Sequence, residues 1–216
     1  CAKLLSDMGA DVVKVERPGS GDPSRQIGPF LNGLADLEMS PSFFFLNTGK
    51  RSIELDIYDE DSKSTLHQLI KKFDIVISSN TDSTLENHDL GFESLRMTNP
   101  KVILTTVTGF GSFGPHSHYR SSHLISCAVG GWAQLCGTPD REPLQAGASV
   151  TQTLTGAYAA VATLLAVQGR NSHGNGEHVD VSAQESVLAG AQLPTLFYEY
   201  QGLTPERYSS VGSGAG

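Results

Sequence analysis

The 216-residue sequence has only three cysteines, Cys1, Cys127 and Cys136, too few and too widely spaced for a disulfide scaffold or a cysteine-type zinc site. An odd number of thiols so placed fits a reducing compartment, and the cytoplasm is the expectation. Basic residues are scarce too. Against 23 Asp and Glu stand 15 Lys and Arg, a net charge of −8. The densest basic spots, Lys50-Arg51 and Lys71-Lys72, are too short for a nucleic-acid groove, which excludes nucleic acid as an expected partner while leaving room for a small anion. The longest apolar run, Ala157 to Val167, falls short of the roughly 20 residues that cross a bilayer, so no membrane span is expected. Neither HExxH nor G-x-S-x-G occurs, which removes local support for a zinc protease or an α/β-hydrolase. His116, His118 and His123 lack a helical pair or a carboxylate ligand; they read as a solvated loop, and no metal site is expected.

What is present suffices for a globular core, with 38% hydrophobic residues. Leu4, Leu5 and Met8 share one helical face, and Asp11 to Glu16 follows as a strand rich in β-branched residues. A Gly-, Pro- and Ser-rich loop is expected to run to about Gly49. Strands are expected at 52–56, 74–78 and 101–107, with an amphipathic helix over 61–73 and a short one near 92–97. This alternation predicts an α/β fold, a Rossmann-like parallel sheet with flanking helices. The ligand edge of such a sheet lies beyond the carboxyl ends of its strands, which puts Arg17, Asp56-Ile57-Tyr58, Ser78-Ser79-Asn80 and Gly109-Phe110-Gly111 on one rim. From residue 121 the character changes to three helices, near 122–134, 151–167 and 183–200, with one strand at 178–182. Residues 1–120 thus read as an α/β nucleotide-binding part and 121–216 as a helical part. The first residue, Cys1, within a helix, and the loop-like Gly212-Ser213-Gly214-Ala215-Gly216 suggest a fragment of a larger protein.

Several motifs allow two readings. Gly109-Phe110-Gly111-Ser112-Phe113-Gly114 fits GxGxxG after a strand, but Pro115 and histidines follow where a dinucleotide site needs an apolar helix start, so a sharp glycine turn explains it better. Asp180 is either a catalytic carboxylate or a charge on an exposed strand face, with the second expected. Gly130-Gly131, Gly156 and the alanines near 157–160 and 189–191 point to tight helix packing or close ligand approach. Arg17, straight after a strand and before Pro18-Gly19, is well placed for a phosphate.

Four segments in register carry a resemblance. Leu4 to Glu16, Gly21-Asp22-Pro23-Ser24-Arg25, Leu46-Asn47-Thr48-Gly49-Lys50-Arg51-Ser52-Ile53-Glu54-Leu55-Asp56, and Asn99-Pro100 through Gly114-Pro115 resemble the corresponding stretches of family III CoA-transferases, the group of formyl-CoA and carnitine CoA-transferases. The resemblance implies a large Rossmann-like domain, a smaller domain that this chain lacks, and an interlocked dimer. It implies movement of CoA between carboxylic acids, with CoA and acyl-CoA as substrates and no permanently bound cofactor. Relatives of the same fold racemise 2-methylacyl-CoA, so a racemase-like activity stays open. Arg17 and Leu55 match positions that contact the CoA nucleotide, and Arg120 a position near the pantetheine or phosphates.

Other positions depart from the pattern. The family's E-N-F/Y-R-P-G is here Ser78-Ser79-Asn80-Thr81-Asp82-Ser83, and its Y-D pair is Ser122-His123. Most consequentially, Gln152 stands four before Gly156, where the family has its catalytic aspartate. A carboxylate attacks a thioester and leaves an anhydride that can reopen, whereas a carboxamide has no comparable nucleophilicity. Two expectations follow: a divergent transferase with a relocated carboxylate such as Asp140 or Glu142, or a catalytically silent CoA-binding half that supports an active partner as homodimer or heteromer.

Overall fold

β-Branched runs bounded by Gly, Pro and Asn form the strands, and stretches led by polar caps form the helices. The computed structural model describes residues 1–204 and 207, apart from the side chain of Leu193. The run Gly212 to Gly216 lies outside them. In chain order come α1 (Ala2–Asp7), β1 (Val13–Glu16), two 3₁₀ turns, α2 (Pro41–Asn47), β2 (Arg51–Glu54), α3 (Glu60–Ile70), β3 (Ile75–Ser78), α4 (Asp82–Glu86), α5 (Phe92–Thr98) and β4 (Ile103–Thr108). There follow α6 (His123–Val129), α7 (Trp132–Leu135), α8 (Val150–His173), β5 (His178–Ser182), α9 (Ala183–Gly190) and α10 (Gln192–Gln201).

The described strands all pair in parallel, as expected, but in two ladders rather than one. β1 pairs with β2, and β4 lies between β3 and β5. Helix packing, not strand hydrogen bonding, ties the two together: α8 lies against α1 as well as against β4 and β5. β5 therefore brings the later half of the chain into the sheet built by the first.

Several boundaries move for identifiable reasons. The expected loop before Gly49 contains α2, which Ser40 caps by accepting from Phe43 N and Pro41 starts. The helix expected over 122–134 divides at Gly130-Gly131. Gly131 takes a left-handed φ of 79°, and a Cβ on Gly130 would meet Val187 at 2.4 Å. The 183–200 helix divides at Ala191. α8 continues past Val167 to His173, because its last turns are polar and lie outside the apolar run, and left-handed Gly174 ends it. At 24 residues, α8 is long and apolar enough to cross a membrane by length and composition, contrary to the shorter run read from sequence. Its Thr151, Thr155, Ala159, Ala160, Thr163 and Ala166 are nevertheless buried within the protein.

The core lies on both faces of β3–β4–β5. On one, Leu85, Leu90, Leu95, Val102, Leu104 and Ile70 cluster under α3, α4 and α5. On the other, the small residues of α8 allow close approach, and Thr163 Oγ1 lies 2.8 Å from Thr105 Oγ1. The small residues are thus packing devices. Gly176 is the extreme case, since a Cβ there would fall 1.8 Å from the Val102 carbonyl oxygen.

Candidate functional site around Gln152

The end of β1 is organised by Glu16, a buried carboxylate. It accepts from Arg25 Nε at 2.8 Å, Ser52 Oγ at 2.8 Å and the Asp22 amide at 2.9 Å. The Arg25 bonds hold the carboxyl below the usual range despite its burial. Arg25 also lies 3.7 Å over the Phe43 ring. Asn47 Oδ1 accepts from Lys50 Nζ at 2.9 Å, and burial followed by the charge of Lys14 lowers the Lys50 pKa. The G-D-x-x-R and N-x-x-K-R-S segments are therefore architectural here: they fix the loops around β1 and β2.

That framework carries two of the expected ligand residues. Arg17 follows β1 and Leu55 follows β2, and the two strand ends are bonded through Leu55 N to Glu16 O at 3.0 Å. The exposed Arg17 guanidinium lies 5.7 Å from the Tyr58 ring centroid, and Tyr58 meets His88 edge-on at 4.7 Å. Tyr58 lies on the expected rim, and its pairing with the cation arises only from the fold. An exposed cation beside an aromatic face suits a nucleotide.

Beyond β4, the glycine loop turns as the glycine pattern suggests and opens no helix. Gly111 has a φ of 83°, and Ser112 N donates to Asp180 Oδ2 at 2.7 Å. Asp180 is half-buried and anchors this loop, which corrects its expected placement as an exposed charge; the partner amide lies in a segment far away in sequence. His116 and His118 pack around Tyr119 in the exposed loop. Arg120 is exposed in the same loop, just ahead of α6. Among the described residues no hydrogen bond or ring contact joins Arg120 to Arg17 or Gln152, and no three His, Cys, Asp or Glu side chains converge as a metal site.

Gln152 is exposed in the first turn of α8. Its Oε1 accepts from Thr151 Oγ1 at 3.0 Å. The nearly inaccessible Thr151 hydroxyl lies 2.6 Å from His123 Nδ1, and His123 Nε2 lies 2.9 Å from the Ala146 carbonyl oxygen. Ala148, just ahead of the helix, has a left-handed φ of 54°, a strained conformation for alanine. Among the described residues Ser149 makes no side-chain cap at the start of α8. Contrary to the solvated loop expected for it, His123 is half-buried and joins α6 to α8. The only sequence signal was its place in the altered Y-D pair.

The chain is an α/β protein with parallel strands, an exposed cation at a strand end and a polar helix start at Gln152. The CoA-transferase family III model matches residues 1–215, and the chain belongs to that family. It is 35% identical to succinyl-CoA:mesaconate CoA-transferase of Haloarcula hispanica over 96% of this chain and 53% of that protein. It is 30% identical to the succinyl-CoA:(R)-benzylsuccinate CoA-transferase subunit BbsE of Thauera aromatica, over 93% of this chain and 49% of that one. The structure of a CAIB/BAIF family protein from Brucella suis superposes with a TM-score of 0.88 at 32% identity, covering 96% of this chain and 55% of that one. The chain thus spans about half the length of the curated relatives it matches.

Proposed function

We propose that this chain is the acyl-CoA-binding half of a CoA-transferase-type protein and does not itself form the covalent anhydride. The nucleotide lies along Arg17 and Leu55, with Arg120 serving the phosphates or pantetheine, and the thioester reaches Gln152 at the start of α8. The observation that carries this reading is the exposed carboxamide at the position where the family resemblance expects the nucleophile. Gln152 can hydrogen-bond a thioester carbonyl or a substrate carboxylate, and the positive end of α8 favours the same oxygens.

Catalysis then falls to a partner chain, as a heteromer with a related active chain. The naming of the Thauera relative as a subunit supports the heteromer. The exposed apolar side chains Phe45, Val161, Leu165 and Tyr200 leave surface for further protein to cover. Three free thiols support a cytoplasmic setting. The second reading, a transferase using Asp140 or Glu142, is favoured by the tether from His123 to Ala146 on the loop that carries both carboxylates.

Calorimetry of the intact protein with CoA and acetyl-CoA tests the proposal. Both should bind, Arg17→Ala should weaken both about tenfold or more, and mass spectrometry should find no acyl or CoA adduct on residue 152. Absence of CoA binding would overturn it.

A further inference from the structure

The hydrogen-bond chain behind Gln152 has a property that its members lack singly. The Ala146 carbonyl can only accept, so His123 Nε2 always carries a proton. The Thr151 hydroxyl has one proton to give, either to His123 Nδ1 or to Gln152. When His123 is neutral, Nδ1 is bare and takes the Thr151 proton. Gln152 can then meet the Thr151 oxygen only through its NH₂ group, and its carbonyl oxygen faces outward. When His123 is protonated, Nδ1–H donates to Thr151, Thr151 donates to Gln152 Oε1, and the Gln152 NH₂ faces outward. In the structure Gln152 Oε1 faces the Thr151 hydroxyl at 3.0 Å, the carboxamide orientation of the second case. A half-turn of the carboxamide about its last torsion interconverts them.

We propose that His123 is a positioning residue that selects, through Thr151, whether Gln152 offers a donor or an acceptor to the ligand. With His123 protonated, the outward NH₂ suits the thioester carbonyl or a carboxylate oxygen of an acyl-CoA substrate. With His123 neutral, the outward carbonyl repels both. The site therefore prefers acylated CoA at lower pH, and this ligand assignment rests on the acyl-CoA reading above. Around the ring, α6 contributes the Cys127 thiol, 3.9 Å from Nε2, α8 contributes the Thr151 hydroxyl, and the loop before α8 contributes the Ala146 carbonyl. The histidines that approach carboxylates are His173 and His178, with Glu177 and Asp82, so among the described residues no ion pair competes for the His123 proton.

The test is a pH titration by NMR of the intact protein, with ¹³C-labelled histidine and ¹⁵N-labelled glutamine. The Gln152 side-chain amide signals should move with the His123 ring midpoint. In Thr151→Val that coupling should vanish while His123 still titrates, and in Thr151→Ser it should persist. His123→Gln, which removes the titrating ring, should leave the Gln152 signals flat with pH should the valine variant not fold. Gln152 signals that ignore His123, or that follow it in Thr151→Val, would overturn the switch. The advantage of acetyl-CoA over CoA in affinity should be roughly five- to tenfold larger at pH 5.5 than at pH 8. An advantage unchanged by pH, with both ligands bound, would overturn the ligand assignment. Failure of CoA to bind while the NMR coupling persists would instead refute the acyl-CoA reading and leave the switch standing.

Discussion

The Glu16 network and the Gln152 chain are two polar networks at element ends, and they are built on opposite principles. Glu16 is a buried carboxylate saturated by a guanidinium, a hydroxyl and an amide, with its charge fixed and its acceptors filled. Gln152 is an exposed carboxamide with, among the described residues, one protein partner on its oxygen and none on its amide nitrogen. The first network uses its polar groups entirely on architecture. The second leaves one group for a ligand. The difference separates a filled, charged network that fixes loops from a neutral group presented at the surface by the first turn of α8.

The sharpest way to break the contrast is to give the second network a carboxylate. Gln152→Asp should create labelled-CoA exchange between acyl-CoA and free acids, on the order of 10³-fold or more above the unsubstituted protein, since losing a covalent nucleophile costs on the order of 10⁶ in rate elsewhere. Mass spectrometry of the exchanged CoA measures it. A purely architectural change should do the reverse, lowering stability without touching ligand chemistry. Gly176→Ala forces a Cβ into the Val102 carbonyl and should cost about 3 kcal/mol or more in urea unfolding.

Glu16→Ala attacks the first network directly. It removes the Nε partner of the largely buried Arg25, leaving, among the described residues, only the exposed Glu38 to pair with it, and should cost about 3 kcal/mol, read in the same unfolding experiment. The smallest effect is in pH. Glu16 has a folded pKa below its unfolded value, so its stabilisation is fully present above about pH 4.3 and is lost as pH falls through the folded value. Acid unfolding should therefore be less steep in Glu16→Gln than in the unsubstituted protein below pH 4. Equal steepness would show that Arg25 does not hold Glu16 ionised.

Strands such as Ile75–Ser78 and the helix over Glu60–Ile70 were legible because their periodicity is local. α2 was not, since Phe43-Phe44-Phe45 follows a long run of turn residues and its start depends on the Ser40 cap, itself bonded to the Ser24 and Ile27 carbonyls. The end of α8 was missed because its final turns are polar while the apolar run stops earlier. The division of the strands into two ladders depends on which edges meet, which no strand's own pattern encodes. At the site, the placement of Arg17 and Leu55 at adjoining strand ends could be read from the chain. The inward turn of His123 could not, because its partner Thr151 lies 28 residues away and a histidine in a histidine-rich loop reads as solvated. Asp180 failed for the same reason: its partner amide at Ser112 is 68 residues distant.

The measurement that bears most directly on the central claim is exchange of isotopically labelled CoA between a broad panel of acyl-CoA thioesters and free acids, catalysed by the intact protein alone. The account predicts no exchange above the buffer rate, with CoA nonetheless bound. Steady exchange that persists unchanged in Gln152→Ala would contradict it, placing the nucleophile elsewhere in the same protein and restoring a complete transferase.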